Sequence, residues 1–249
     1  MIVASLLACV LAAGCPAQAE DWIHTWGGKG IETAFAIDVD DSGSVYVGVQ
    51  SHGYRTGGED VLLLKYNSAG NLQWKKTWGG NSDDTAYAIA AGGKSVYVAG
   101  GTMSYGADNY DVLLLKYDST GNLLWTKTWG GDGSEYAHAV TVGEDGSVYL
   151  AGNTESYGAG RVDVLLLKYD SSGNLLVAKT WGGSDDDRAF AITVDDAGSV
   201  FIAGHTDSYR TGDRTSMLLL KYDSTGNLLW TKILGWEHRD FFSRHCYRQ

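Results

Sequence analysis

The sequence predicts an all-β protein, a β-propeller of four-stranded antiparallel blades with about four repeats, with an open or truncated ring among the alternatives. Three observations carry this prediction. One unit recurs four times along the chain, each unit contains four strand-like runs separated by turn residues, and no run within the repeats has a helical period of useful length.

A seven-residue apolar run ending in Lys-Tyr marks each unit. It occupies Asp60 to Tyr66, Asp111 to Tyr117, Asp163 to Tyr169 and, with Met217 in place of valine, Ser216 to Tyr222. Its lysines Lys65, Lys116, Lys168 and Lys221 lie 51, 52 and 53 residues apart. Trp-Gly-Gly begins at Trp26, Trp78, Trp129 and Trp181, and Leu234 takes the next corresponding place. The period defines one repeat domain over residues 20–234.

Two patterns within the strands favour sheets stacked face to face. In the first strand of the first unit, Phe35, Ile37 and Val39 alternate with Ala34 and Ala36, which predicts one bulky face and one alanine face. The third strand is apolar at successive positions, so both of its faces must be covered. Radial blades satisfy both demands. A solenoid and an array of immunoglobulin-like sandwiches are the alternatives, and four strands per unit suits neither.

The composition argues against a nucleic-acid partner and against a repeat domain stabilised by disulfides or thiolate metal clusters. The formal net charge is −11, and such a field repels phosphate backbones, so no nucleic-acid partner is predicted. The three cysteines, Cys9, Cys15 and Cys246, lie outside the repeats, which therefore contain no disulfide and no thiolate metal cluster. Packing must supply the stability of the repeat domain.

The N-terminus has the features of an export signal. The uncharged apolar run from Ile2 to Gly14 is too short to span a bilayer as a helix, and Ala17-Gln18-Ala19 fits a cleavage site, which predicts a signal peptide over 1–19. Residues 11–15 also resemble a bacterial lipobox, in which residues 1–14 are removed and a lipid anchor at Cys15 is the membrane contact. A buried N-terminal helix is the third interpretation. Either signal predicts an extracytoplasmic protein, which is secreted, periplasmic or lipid-anchored at the cell surface.

The repeat carries three longer motifs. They are Gly-Ser-Val-Tyr-Val-Ala-Gly-x-Thr, Asp-Val-Leu-Leu-Leu-Lys-Tyr-Asp and Gly-Asn-Leu-Leu-Trp-x-Lys-Thr-Trp-Gly-Gly. In this combination the chain resembles the SBBP-type β-propeller repeat proteins over about residues 21–234, and less closely the quinoprotein-like propellers. The resemblance implies a propeller fold and an extracytoplasmic binding or scaffolding role, and it implies no catalytic residue.

The count of strands raises the question of ring closure. Trp22 to Trp26 aligns with Trp74 to Trp78, which predicts an isolated fourth strand ahead of the first unit. Residues 235–249 form a divergent C-terminal tail, either a cap or a segment read out of frame. If the rotation per blade suits a larger ring, four blades form an open arc whose apolar end faces self-associate. The alternative is a tightly wound ring that leaves the leading strand outside.

Acidic residues recur where a metal site would be expected. An acid follows each Trp-Gly-Gly at Glu32, Asp84, Glu135 and Asp187, and Asp185-Asp186-Asp187 is the densest cluster. Calcium is the cation that such oxygen ligands would suit, and no other cofactor is predicted. The competing interpretation, which we favour, is that each acid caps backbone N–H groups of its own loop.

Ligand-binding candidates lie in the loops between second and third strands, which share one face with the loops between blades. They are Tyr54, Tyr105, Tyr157, Tyr209, His52, His205, Arg55 and Arg210. The tyrosines suit carbohydrate stacking or a protein contact, but identical placement in every unit favours a packing role. The histidines and arginines vary between units. No nucleophile accompanies either histidine, so no catalytic residue is assigned.

The resulting functional prediction is a non-catalytic extracytoplasmic binding or scaffold module. Its expected partners are a protein or a carbohydrate at the cell exterior, together with self-association. The alternative is a hydrolase or lyase that acts on polysaccharide through the loop face. An enzyme would need a cluster of acids or histidines, specific to one blade, that interrupts the repeat.

Overall fold

The computed structural model describes Thr25, Gly27 and residues 30–52, 57–210 and 214–235. Every regular element in these ranges is a β-strand, and this part of the chain contains no helix that could cross a membrane. Three predicted segments lie outside the described residues: the signal segment 1–19, the leading strand apart from Thr25, and the tail apart from Gly235.

Sixteen strands form four sheets. The first blade comprises β1 (Glu32–Val39), β2 (Val45–His52), β3 (Glu59–Tyr66) and β4 (Leu72–Trp78). The second comprises β5 (Asp84–Gly92), β6 (Ser95–Thr102), β7 (Asp111–Asp118) and β8 (Leu123–Trp129). The third comprises β9 (Glu135–Val142), β10 (Val148–Thr154), β11 (Asp163–Tyr169) and β12 (Leu175–Trp181). The fourth comprises β13 (Asp187–Val194), β14 (Val200–Thr206), β15 (Ser216–Tyr222) and β16 (Leu228–Leu234).

Each sheet is antiparallel, and its strands are ordered as they follow in the chain. This arrangement of four-stranded meanders confirms the predicted all-β propeller architecture. The tight turns between third and fourth strands follow the expected chemistry. In the second blade, Asp118 Oδ1 accepts hydrogen bonds from the N–H groups of Asn122 and Thr120, which lower the pKa of Asp118. Gly121 takes the left-handed φ of 84° in that turn.

The blades stack through three apolar clusters, one at each junction between neighbouring blades. The first strands β1, β5, β9 and β13 lie side by side in that order, so they are the innermost strands. Successive leucines of the third strand point in opposite directions, since Leu113 packs towards the first blade and Leu114 towards the third. The prediction of a third strand buried on both faces is therefore confirmed for β3, β7 and β11, whereas in β15 Met217 is 47% exposed.

A β-bulge interrupts every innermost strand at the same place. The pairing skips one residue between Ala34 and Ala36, and it does so at the equivalent positions of the other three blades. The extra residues are Phe35, Tyr87, His138 and Phe190. A glycine opposite the bulge accommodates the close approach of the two strands, because a Cβ on Gly152 would lie 1.8 Å from the carbonyl oxygen of Tyr136.

The bulge shows that the predicted alternation along the first strand is wrong. Beyond it the strand exchanges its faces, so Ala86 and Ile89 both pack towards the first blade while Ala88 packs towards the third. Tyr87 belongs to neither cluster. By the same register, Phe35 does not share a face with Ile37 as the simple two-residue period had indicated.

Candidate functional site

Three of the four recurring acids, Asp84, Glu135 and Asp187, are buried at the loop face, where each accepts hydrogen bonds from the adjoining loops, whereas Glu32 is only partly buried. Glu135 is fully buried and accepts hydrogen bonds from Gly131 N (2.8 Å), Thr154 Oγ1 (2.8 Å) and Ser156 N (3.0 Å). Asp84 and Asp187 make equivalent bonds to a backbone N–H group and a serine hydroxyl. The carboxylates therefore tie the loop between blades to the loop between second and third strands.

The described loop tyrosines join neighbouring blades. The Tyr157 ring lies 4.9 Å from the Trp129 ring of the preceding blade, and its hydroxyl donates to Gly130 O at 3.1 Å. Tyr105 and Tyr209 make the same two contacts. All three side chains remain about half exposed, at 45–49%. Tyr54 and Arg55 lie outside the described residues.

The remaining predicted residues are separated from one another. His52 lies at the end of β2, where its Nε2 is 2.6 Å from Glu59 Oε1. Arg210 is exposed in the loop of the fourth blade. His205 alone lies beside the innermost strands, with its ring 5.3 Å from that of Phe190.

The three consecutive aspartates do not converge on one point. Asp187 is buried in the loop network, and Asp186 pairs with Arg188 at 3.0 Å. Asp185 contributes its backbone N–H group to Ser208 Oγ. The described residues contain no group of three or more His, Cys, Asp or Glu side chains placed to hold a metal ion. Asp185 and Asp186 precede β13, whereas Asp187 begins it, and the calcium site suggested at these three residues stays a prediction.

Each junction between blades instead holds a pair of buried carboxyl groups. Asp111 faces Glu135 across Gly130, where a Cβ would lie 1.6 Å from Asp111 Oδ1 and 2.5 Å from Glu135 Oε2. Asp163 and Asp187 meet in the same way. The Oδ1 atoms of Asp111 and Asp163 have no hydrogen-bond partner in the described structure. Burial raises the pKa of Asp111, and the charge of Glu135 adds to that effect.

Replacing Asp111 with asparagine is expected to stabilise the protein by roughly 1 kcal/mol at neutral pH, the scale of one unpaired buried polar group. Because folding raises the pKa of Asp111, its contribution to stability is greatest below the ordinary Asp pKa of about 4 and falls as the pH rises through the folded-state value. The variant should lack this fall. Thermal melts from about pH 4 to about pH 8 measure the difference.

Asp118→Asn is the control with the opposite sign, because hydrogen bonds lower the pKa of Asp118 in the folded state. That variant should therefore be less stable than the wild-type protein at neutral pH, and the difference should shrink as the pH falls below the ordinary Asp pKa. Calcium binding at the recurring acids, the alternative raised by the sequence, would instead appear as a rise in the melting temperature of the wild-type protein when calcium is added. Destabilisation of the protein by Asp111→Asn in calcium-free buffer would contradict the conclusion that burial and the charge of Glu135 disfavour an ionised Asp111.

The bulged side chains form a continuous row across the innermost strands, which we call the axial row: Phe35, Tyr87, His138 and Phe190. Ring centroids are separated by 5.8 Å, 5.5 Å and 5.8 Å along it. Phe35 and Phe190 are 48% and 51% exposed, and Tyr87 and His138 are half-buried. Bulges re-aim side chains out of a sheet, and here all four point into contact with one another rather than into the clusters between blades.

Polar and aromatic groups flank the row on the side of the third and fourth blades. The Tyr136 ring stacks on His138 at 6.0 Å and contacts the Tyr110 ring at 4.9 Å. Asn153 Oδ1 lies 2.6 Å from His138 Nε2. Since an amide oxygen only accepts, Nε2 is the donor and Nδ1 carries the lone pair. Burial lowers the pKa of His138, and the charge of Arg188 contributes to the decrease.

Sequence reasoning missed this cluster, although the chain carries a signal for it. Tyr136 pairs with Asn153 across β9 and β10, and the equivalent pairs in the other blades are Thr33 with Gln50, Thr85 with Gly101, and Arg188 with His205. Residues that differ at one register position of an otherwise constant repeat are released from a structural role. This register position lies beside the bulge of each innermost strand, where the four strands converge.

Comparisons with known proteins support the fold. No family model matches the chain. A stretch of 163 residues, 51% of this chain, is 30% identical to the regulatory protein FlaEY of Caulobacter vibrioides and spans 17% of that protein. The structure is similar to an ulvan lyase, a polysaccharide lyase, both bound to a saccharide of glucuronate and sulfated rhamnose (TM-score 0.54, 11% identity) and alone (TM-score 0.53, 12% identity). Each comparison covers 79% of this chain and 54% of the lyase.

The chain thus spans about half the length of the lyase and under a fifth of FlaEY. At this identity, the likeness to the lyase shows a shared propeller-like fold and nothing about ligands.

Proposed function

We propose that the chain is an extracytoplasmic, non-catalytic β-propeller module that binds carbohydrate at the axial row. One observation carries the proposal: the innermost strands bring together a half-buried, repeat-breaking group of aromatic rings and polar side chains. Aromatic faces pack against the C–H faces of sugar rings, and a few fixed polar groups orient the hydroxyls. Asn153 is only 4% exposed, and its contact with His138 holds both groups in place.

The wider context of the proposal follows the sequence features. We assign the chain to the SBBP-type repeat proteins on its repeat motifs, and place it outside the cytoplasm on its N-terminal segment, either released after residue 19 or anchored at Cys15. Both export routes would expose the propeller to polysaccharides of the cell exterior. The acidic net charge of −11 disfavours polyanions in general, so neutral glycans are the first class to examine.

Glycan-array screening followed by calorimetry tests the proposal, with neutral glycans and a glucuronate-containing polysaccharide as probes. Tyr136→Ala and His138→Ala are each expected to weaken binding roughly tenfold or more, about 1.4 kcal/mol. Tyr157→Phe is the matched control: it removes one hydroxyl from a loop tyrosine and should leave binding unchanged. Binding that survives Tyr136→Ala and His138→Ala but is lost when the loop tyrosines are replaced would place the site at the loop face.

A polysaccharide lyase is the second candidate, favoured by the state of His138. Its Nδ1 lone pair is free of the Asn153 hydrogen bond, and its lowered pKa keeps it neutral, as a general base requires. In β-elimination from a uronate, His138 would take the proton next to the carboxylate, Arg188 would neutralise the carboxylate, and the glycosidic C–O bond would break as the C=C bond forms. Tyr136 would supply the proton to the leaving oxygen.

Ultraviolet absorbance of the unsaturated uronate product distinguishes the two candidates. Under the main proposal, the wild-type protein binds carbohydrate and produces no absorbance change with uronate polysaccharides. Turnover that His138→Ala abolishes would instead establish the lyase. The ligand of the structurally similar ulvan lyase motivates the choice of a glucuronate polysaccharide as this probe.

A further inference from the structure

We propose that two copies of this chain associate head to tail, with the exposed face of the fourth blade of each copy receiving β1 of the other. The fourth-blade face comprises Phe201, Ala203, Met217, Leu219 and Trp230. The three junctions between blades within the chain serve as a template for this fourth contact.

The template is uniform across the three internal junctions. At each one, a tyrosine of the second strand and a valine and leucine of the third strand are at most 3% exposed; they are Tyr46, Val61 and Leu63, then Tyr97, Val112 and Leu114, then Tyr149, Val164 and Leu166. The innermost strand of the next blade covers them, as β5 does by packing on β1, β2 and β3. A four-stranded blade therefore presents a preformed receptor for an innermost strand.

The fourth blade presents the same receptor without an occupant among the described residues. Phe201, Met217 and Leu219 stand where the tyrosine, valine and leucine stand elsewhere, yet Met217 is 47% exposed. Trp230 is 37% exposed. Phe201, Leu219 and Trp230 line an open apolar hollow of about 290 Å³. Its chemistry matches surfaces that are buried in the other three blades, which marks it as an interaction surface.

The complementary element is β1, whose side facing away from the second blade packs on no other blade among the described residues. Ile37 and Val39 are 68% and 52% exposed, whereas the equivalent Ile89 of β5 is 8% exposed because it packs on the first blade. Leu62 and Leu64 of β3 are already buried, so the part of the first blade available to a second copy is β1. The equivalent strand β5 is the one whose backbone lies closest to the preceding blade at the first internal junction, where side chains of β6 and β7 also pack.

A lysine donates a hydrogen bond across each internal junction, and Lys221 offers the equivalent donor at the proposed contact. Lys65, Lys116 and Lys168 donate from Nζ to the carbonyl oxygens of Ser119, Ser171 and Ser224 in the turn of the next blade, at 3.0, 2.7 and 3.1 Å. Lys221 lies over the Phe201 ring at 4.8 Å, and no described backbone carbonyl accepts its hydrogen bond. In a second copy, the equivalent acceptor is the carbonyl of Ser68 in the turn after β3.

The second copy is favoured over closure within one chain by the packing of the innermost strands. The described β13 and β1 share no contact comparable to those that join β1 to β5, β5 to β9 and β9 to β13. Two arcs of four blades would form a ring of about eight blades, within the range that propellers adopt. The contact is heterologous, and two such contacts close the ring as a dimer.

Light scattering coupled to size-exclusion chromatography tests the proposal on the full chain. The wild-type protein is expected to run with the mass of a dimer. Leu219→Asp alters the fourth-blade face and Ile37→Asp alters β1, and each variant alone is expected to be monomeric, since either substitution damages both contacts of a homodimer. Leu176→Asp is the matched control, because Leu176 is 54% exposed in an internal blade and should leave the dimer intact.

Mixing the two variants provides the sharper test. Ile37→Asp retains a native fourth-blade face and Leu219→Asp retains a native β1, so the mixture contains one intact contact and is expected to yield a heterodimer. Circular dichroism establishes that the variants are folded, and Met217→Lys replaces Leu219→Asp if the latter is unfolded. A monomeric wild-type protein, a dimer that survives both substitutions, or complementary variants that remain monomeric together would each overturn the proposal.

Discussion

Replacing Glu135 with alanine is expected to destabilise the protein by about 3 kcal/mol, the scale of removing several hydrogen bonds to one buried charged acceptor. The substitution leaves the N–H groups of Gly131 and Ser156 and the hydroxyl of Thr154 without their acceptor at a fully buried position. It therefore releases both loops at the junction of the second and third blades. Denaturant titration followed by tryptophan fluorescence measures the change.

Glu135→Gln is the matched control for this variant. Its side-chain oxygen can still accept the hydrogen bonds of Thr154 and Ser156. Its amide group, in place of Oε2, loses the hydrogen bond from Gly131 N–H but can donate towards Asp111 Oδ1, which lacks a partner in the described structure. A change smaller than about 1 kcal/mol is expected for glutamine. Equal losses for alanine and glutamine would show that the negative charge, rather than the hydrogen-bond geometry, stabilises the loops.

Leu114→Ala is expected to cost about 2–5 kcal/mol, the range measured for truncating a fully buried leucine. Leu114 is completely buried on β7, in the cluster where the second blade meets the third. Strands of both blades surround the resulting cavity, so neither sheet can collapse into it without disturbing its own ladder. The free energy of unfolding from denaturant titration provides the measurement.

Leu124→Ala is the corresponding surface control, since Leu124 of β8 is 52% exposed. Its effect should remain within about 0.5 kcal/mol. A similar loss from the two leucines would contradict the stacking of blades through their third strands, because that stacking is what distinguishes the two positions.

The candidate site was predictable from the sequence only at its margin. His205 was singled out because it varies between units, and it lies beside the axial row. Tyr136, His138 and Arg188 were not, because a strict two-residue period assigns their strands to ordinary alternation. A bulge depends on pairing with the neighbouring strand, so its position is a property of the sheet and not of the strand sequence alone.

The loop face shows the opposite relation between sequence and structure. The recurrence of Glu135 and its equivalents indicated loop capping, and the structure supplies the hydrogen bonds. The pairing of Asp111 with Glu135 was not foreseeable, although the two lie only 24 positions apart. One begins the third strand of a blade and the other begins the next blade, and they meet because the blades stack.

By itself the sequence determined the properties that depend on neighbours along the chain. Turn residues, the two-faced apolar third strand and the constant period established four-stranded blades, because each is enforced within a single hairpin or unit. Tertiary structure alone decided which side chains converge on the axis, which carboxyl groups share a junction and which apolar faces remain open. These depend on contacts between residues of neighbouring blades, which lie from 24 to about fifty positions apart, and the stacking of one blade on the next is the physical cause that brings them together.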